Sequence, residues 1–124
     1  MCFLVVYRLF ESIRLDEVAR ILESLGYSVR VRNGVVEGYL GDRVVKARVR
    51  ERFLDIKTSD YGEECLFDLR DIDRELYRRG YKPRIVVFSS PYLALLEEDK
   101  RGSEWLLRRL GVRRKKREYI GPCG

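Results

Sequence analysis

The chain contains no histidine, no glutamine and a single asparagine, Asn33. Without histidine, neither a Ser-His nor a Cys-His nucleophile can be assembled, so general-base work falls to carboxylates or lysine. The three cysteines, Cys2, Cys65 and Cys123, lack C-x-x-C spacing and have no histidine to complete a zinc site. Their odd number and wide separation point to free thiols in a cytoplasmic protein, with a disulfide as the alternative in a hyperthermophile. No membrane association is expected: the apolar run Cys2–Tyr7 is far too short to span a bilayer. It also lacks the basic flank and small-residue cleavage site of a signal peptide. It reads as a buried strand or the start of a helix. No repeat, low-complexity tract or Pro/Ser-rich linker divides the sequence, so residues 1–111 are expected to form one domain, followed by a short tail at 112–124.

What the chain has in abundance is charge. Charged residues make up 37% of it, and with amides so scarce this is the composition of a thermophile protein of the archaeal kind, rich in ion pairs. The formal charge is +6, but it is unevenly spread. Of the 26 basic residues, seven (Arg108, Arg109, Arg113, Arg114, Lys115, Lys116 and Arg117) fall within ten positions that hold no acid. The remaining 19 face 20 acidic residues. Such a run is a phosphate-binding footprint or a solvated tail.

Hydrophobic spacing organises the rest. Leu15, Val18, Ile21, Leu22 and Leu25 recur at helical intervals, with Gly26 placed to end the helix. The following thirty residues alternate with period two and are punctuated by Asn33-Gly34 and Gly41-Asp42, both suited to two-residue hairpins. Strands are expected at 28–32, 35–40, 43–49 and 53–58. Pairing them as a meander puts Val29, Val31, Val36, Leu40, Val45, Ala47, Val49, Leu54 and Ile56 on one face, the core. The opposite face then carries Arg30, Arg32, Glu37, Tyr39, Lys46, Arg48, Phe53, Asp55 and Lys57. That mix of cations and aromatics suits nucleic acid; it is also what a solvated sheet face with cross-strand ion pairs looks like.

A second helix is expected over 66–79, with Leu66, Leu69, Ile72 and Leu76 inward and Gly80 closing it. Ile85-Val86-Val87-Phe88 is a continuous apolar run, as in a strand covered on both faces, and a helical crossover would add it parallel to the sheet. Ser103 can cap a last helix through Leu110, whose Trp105, Leu106 and Leu110 offer a seam for a homodimer. The expected fold is therefore α/β in the α+β sense: a four-stranded antiparallel meander with flanking helices and one added parallel strand, in the order α-β-β-β-β-α-β-α.

One stretch carries a candidate chemistry. Asp42 precedes a hairpin's length of chain that ends in Phe53-Leu54-Asp55-Ile56-Lys57-Thr58. On a strand, Asp55 and Lys57 share a face while Leu54 and Ile56 point to the core. Two carboxylates can hold a hard divalent cation beside a phosphodiester, and a lysine can stabilise the developing charge or activate water.

The order helix, antiparallel strands, helix, strand, with acid then acid-x-Lys on consecutive strands, resembles the PD-(D/E)XK nuclease superfamily over roughly residues 12–90. The matching pieces are Glu17 in the first helix, Asp42, Asp55 with Lys57, and the segment Gly80-Tyr-Lys-Pro-Arg-Ile-Val-Val-Phe88. The resemblance implies that Asp42 and Asp55 bind Mg²⁺, that Lys57 assists catalysis with Glu17, and that DNA or RNA is cut. Asp replaces the more usual Glu before x-Lys, and Gly41 replaces the Pro that often precedes the first acid. The meander puts the turn near 50–51, which holds Asp42 far from Asp55, whereas the nuclease arrangement needs it near 48–50. The alternatives are a non-catalytic single-stranded DNA or RNA binder and a homodimeric interaction module. In the binder, Tyr39 and Phe53 would stack bases while Arg30, Arg32, Lys46, Arg48 and the tail track phosphates. In outline the chain also looks like the ThermoDBP single-stranded DNA-binding family, without a shared motif.

Overall fold

The computed structural model describes residues 3–58 and 64–89. Within them run β1 (Phe3–Arg8), α1 (Leu15–Ser24), β2 (Ser28–Arg32), β3 (Val35–Leu40), β4 (Arg43–Arg50), β5 (Phe53–Thr58), α2 (Glu64–Arg78) and β6 (Arg84–Ser89). The expected meander is present with its expected bounds, except that β4 continues one residue further, to Arg50.

Local chemistry explains the turns. Asn33 and Gly34 both take positive φ, 51° and 74°, as a two-residue hairpin of matching twist requires. Gly41 opens the next turn at φ 60°. The third hairpin, between β4 and β5, has no glycine; Glu51 takes the left-handed position at φ 55°. Both helices end alike. Gly26, at φ 96°, donates its N–H to Glu23 O, and the Tyr27 N–H bonds back to Leu22 O. Gly80, at φ 87°, repeats this with Tyr77 O, while Tyr81 N–H reaches Leu76 O. These are Schellman caps, in which a left-handed glycine lets the last carbonyls find partners.

The six strands form one sheet in the order β2-β3-β4-β5-β1-β6, and every adjacent pair is antiparallel. The strand after α2 therefore departs from expectation in its neighbour. It runs in the direction of β5 but pairs antiparallel with β1, which lies between them. The cause is Phe3–Arg8: this segment takes the strand alternative and inserts beside β5, with Val5 opposite Ile56 and Tyr7 opposite Leu54. Leaving out the β2–β3 hairpin, the order β-α-β-β-α-β is the ferredoxin-like split βαβ arrangement. The sheet is thus an antiparallel plait widened at one edge by a hairpin.

One face of the sheet makes the core. Val5, Tyr7, Val36, Val45, Ala47, Leu54, Ile56, Ile85 and Phe88 are buried there, against Val18, Ile21 and Leu22 of α1 and Leu69, Ile72 and Leu76 of α2. Each large aliphatic side chain so buried contributes about 1.5–3 kcal/mol of transfer free energy. Gly38 sits where α1 crosses β3; a Cβ there would lie 3.2 Å from both Leu22 Cδ1 and Tyr27 Cδ1. The exception to the expected core face is Val31, which remains 52% exposed near the end of the edge strand. Val86, expected to be covered on both sides, is 48% exposed at a register shift that leaves it without a partner on β1. A buried polar contact ties the layers: the Tyr7 hydroxyl donates to Asp73 Oδ2 at 3.1 Å. Among the described residues no helix is long and apolar enough to cross a membrane. The last expected helix at 103–110, its homodimer seam and the tail with Arg113, Arg114, Lys115, Lys116 and Arg117 lie outside the described residues.

Candidate nucleic-acid interface

Because side chains alternate along a strand, packing both helices on one face of the sheet gives every second residue to the other. The cross-strand register sets these residues in rows. Arg30, Glu37, Lys46, Lys57 and Leu4 follow one another across β2, β3, β4, β5 and β1. The next row is Arg32, Val35, Arg48, Asp55, Val6 and Val87. A third holds Arg50, Phe53, Arg8 and Arg84. Arg8, Arg30, Arg32, Lys46, Arg48, Arg50, Lys57 and Arg84 are all exposed. Against these eight cations stand two acids, Glu37 and Asp55.

Both acids are already engaged. Asp55 accepts two hydrogen bonds from Arg50, Nε to Oδ2 and Nη2 to Oδ1, each 3.1 Å. Those bonds raise the Arg50 guanidinium above its ordinary pKa. Glu37 Oε2 accepts from the Tyr39 hydroxyl. That bond holds the Glu37 carboxyl below the usual carboxylate range against the opposing effect of desolvation, with Lys46, Arg32 and Arg30 each adding to the lowering. The same bond pushes the Tyr39 phenol up. What remains uncompensated on the face is positive. A concavity of about 640 Å³ on it is lined by Leu4, Val6, Val35 and Val87, by the cations Arg32, Lys46, Arg48, Arg50 and Lys57, and by the two engaged acids.

The structure brings together Arg30, Arg32, Tyr39, Lys46, Arg48 and Phe53, the residues expected to meet nucleic acid, on this one face. Tyr39 and Phe53 sit at opposite ends of it rather than side by side. Asp55 and Lys57 share the face, as their spacing requires. The rest of the acid set is scattered. Asp42 lies in the turn before β4, whereas the residue opposite Asp55 is Arg48. Six positions of strand separate Asp42 from that row, about 20 Å. Glu17 belongs to the helix layer on the far side of the sheet. Its Oε1 accepts from Arg79 Nη1 at 2.6 Å, and its Oε2 lies 3.5 Å from Arg20. The physical reason is the turn at Glu51-Arg52, which fixes the meander register. Asp42 and Asp55 therefore do not fit a shared Mg²⁺, and among the described residues no group of three or more acids or cysteines is placed to hold a metal.

Three cations of the face were not singled out from sequence. Arg50 follows from extending the alternation of β4 by one residue. Arg8 and Arg84 sit on strands whose place in the sheet depends on long-range pairing. Lys57 was singled out, but for catalysis. Comparison with family models, with curated proteins and with solved structures finds no match.

Proposed function

We propose that this protein binds nucleic acid on the open face of its sheet and does not cut it. The observation that carries this reading is the charge of that face: eight exposed cations on five of the six strands against two acids that are each held by a neighbour. A charge surplus so placed is the electrostatic footprint of a polyanion site, with affinity that falls steeply with salt. The apolar floor of Leu4, Val6, Val35 and Val87 beside Phe53 gives unstacked bases a surface to cover. The reading places the protein in the cytoplasm of a thermophile, where DNA and RNA are at hand. Catalysis has less support, since Glu17, Asp42 and Asp55 lie in three separate places.

The experiment is incubation of the full chain with labelled single-stranded, duplex and branched DNA and RNA, in Mg²⁺ and in EDTA, read on native and denaturing gels. Probe that is shifted, uncut and equally bound in EDTA is the expected result. Metal-dependent cutting would overturn the non-catalytic reading, and absence of any shift would overturn nucleic-acid binding itself.

A further inference from the structure

The cations of the open face are not evenly scattered. Lys46, Arg48 and Arg50 occupy three successive outward positions of β4, the one described strand with such a run. Outward positions on a strand recur about every 6.7 Å, close to the span of one nucleotide in an extended single strand. The two sides of this column differ. Toward β3 stand Val35, opposite Arg48, and Glu37, opposite Lys46 and bonded to Tyr39. Toward β5 stand Lys57, Asp55 and Phe53, opposite Lys46, Arg48 and Arg50, and beyond them on β1 lie Leu4 and Val6, partly buried and uncharged.

Resting on the nucleic-acid reading above, we infer that the ligand is an extended single strand that runs along β4. Its phosphates lie over Lys46, Arg48 and Arg50, and its bases turn across β5 onto the apolar floor of β1. Two strand spacings separate β4 from β1, about 10 Å, which suits the reach of a base from its own phosphate. A duplex fits poorly: its bases are turned inward and would leave that floor uncovered. The direction is set by what lies two strands away: uncharged Leu4 and Val6 on β1, against Arg30 and Arg32 on β2. Asp55, clasping Arg50, makes the third phosphate position weaker than the first two.

The test is fluorescence anisotropy of a labelled oligothymidylate and of a duplex of equal length, titrated over a range of salt. Two doubly substituted proteins remove the same charge from exposed positions: Lys46→Ala with Arg48→Ala on β4, and Arg30→Ala with Arg32→Ala on β2. The single strand should bind more tightly than the duplex. The β4 pair should lower the logarithmic salt slope by about 1.4, two phosphates at about 0.7 each for a single strand, and the β2 pair, two strands from the track, should lower it by less than half as much. Equal losses from both pairs, or tighter duplex binding, would overturn the β4 track while leaving the face as a binding surface. No binding by the unsubstituted protein would instead overturn the nucleic-acid reading.

Discussion

Arg50 and Asp55 face each other across the β4–β5 hairpin in a two-pronged guanidinium–carboxylate bond, both contacts at 3.1 Å. A fork of this kind fixes direction as well as distance. It occupies the acid that a metal site would need and the cation that a phosphate would seek. Replacing Asp55 by Asn removes a negative charge from the face and frees Arg50. Nucleic-acid affinity should rise, with a salt slope steeper by up to about 0.7–0.9, one further phosphate contact. A fall in affinity in the same titration would mean that Asp55 helps to form the binding surface.

The Glu37–Tyr39 bond needs an ionised carboxylate and a neutral phenol. Glu37 is held low by Tyr39, and Tyr39 is raised by Glu37. For Glu37, the folded state favours the charged form. Its contribution is therefore complete above the ordinary carboxylate range and is lost as pH falls through the lowered value. For Tyr39 the sign is opposite: the contribution is complete below the ordinary phenol value and is lost as pH rises through the raised one. Glu37→Gln should bring the Tyr39 titration back toward its ordinary value, as read by carbon-13 NMR of labelled tyrosine. An unmoved Tyr39 titration would show that the bond does not form in solution.

Gly38 lies on β3 beneath Leu22 of α1. Gly38→Leu drives a branched side chain against Leu22 and Tyr27, where a Cβ alone already meets both at 3.2 Å. Overpacking of this kind costs about 1–3 kcal/mol. Chemical denaturation should show that loss, and unchanged stability would mean that α1 does not pack on β3 as described.

Tyr7→Phe takes a donor away from Asp73, a carboxylate only 2% exposed. Removing one partner from a buried polar group costs about 1–3 kcal/mol. Equilibrium unfolding of the variant, compared with that of Phe53→Leu on the open face, separates this loss from a general effect of altering an aromatic side chain.

Much of the fold could be read from the sequence because its signals are local. Asn33-Gly34 and Gly41-Asp42 fix two hairpins, and the alternation around them assigns nearly every residue of β2 to β5 to a face. The misses came from pairings that local sequence does not encode. Phe3–Arg8 reads equally as strand or helix, and only its fit between β5 and β6 decides. Once it is there, Ile85–Phe88 meets an antiparallel neighbour instead of a parallel one. The same gap hid Arg8 and Arg84 from the candidate site. Asp42 and Asp55 are the converse case: their spacing in sequence suits one metal ion, and the glycine-free turn at Glu51-Arg52 holds them apart.

On the function proposed above, the open face and not the helix layer receives the ligand. The most direct measurement is methyl NMR of the isotopically labelled protein titrated with a short oligothymidylate. Shifts are expected at Leu4, Val6, Val35 and Val87, with Val18, Ile21, Leu69 and Ile72 unmoved. Shifts confined to the helix-layer methyls, or none at saturating oligonucleotide, would contradict it.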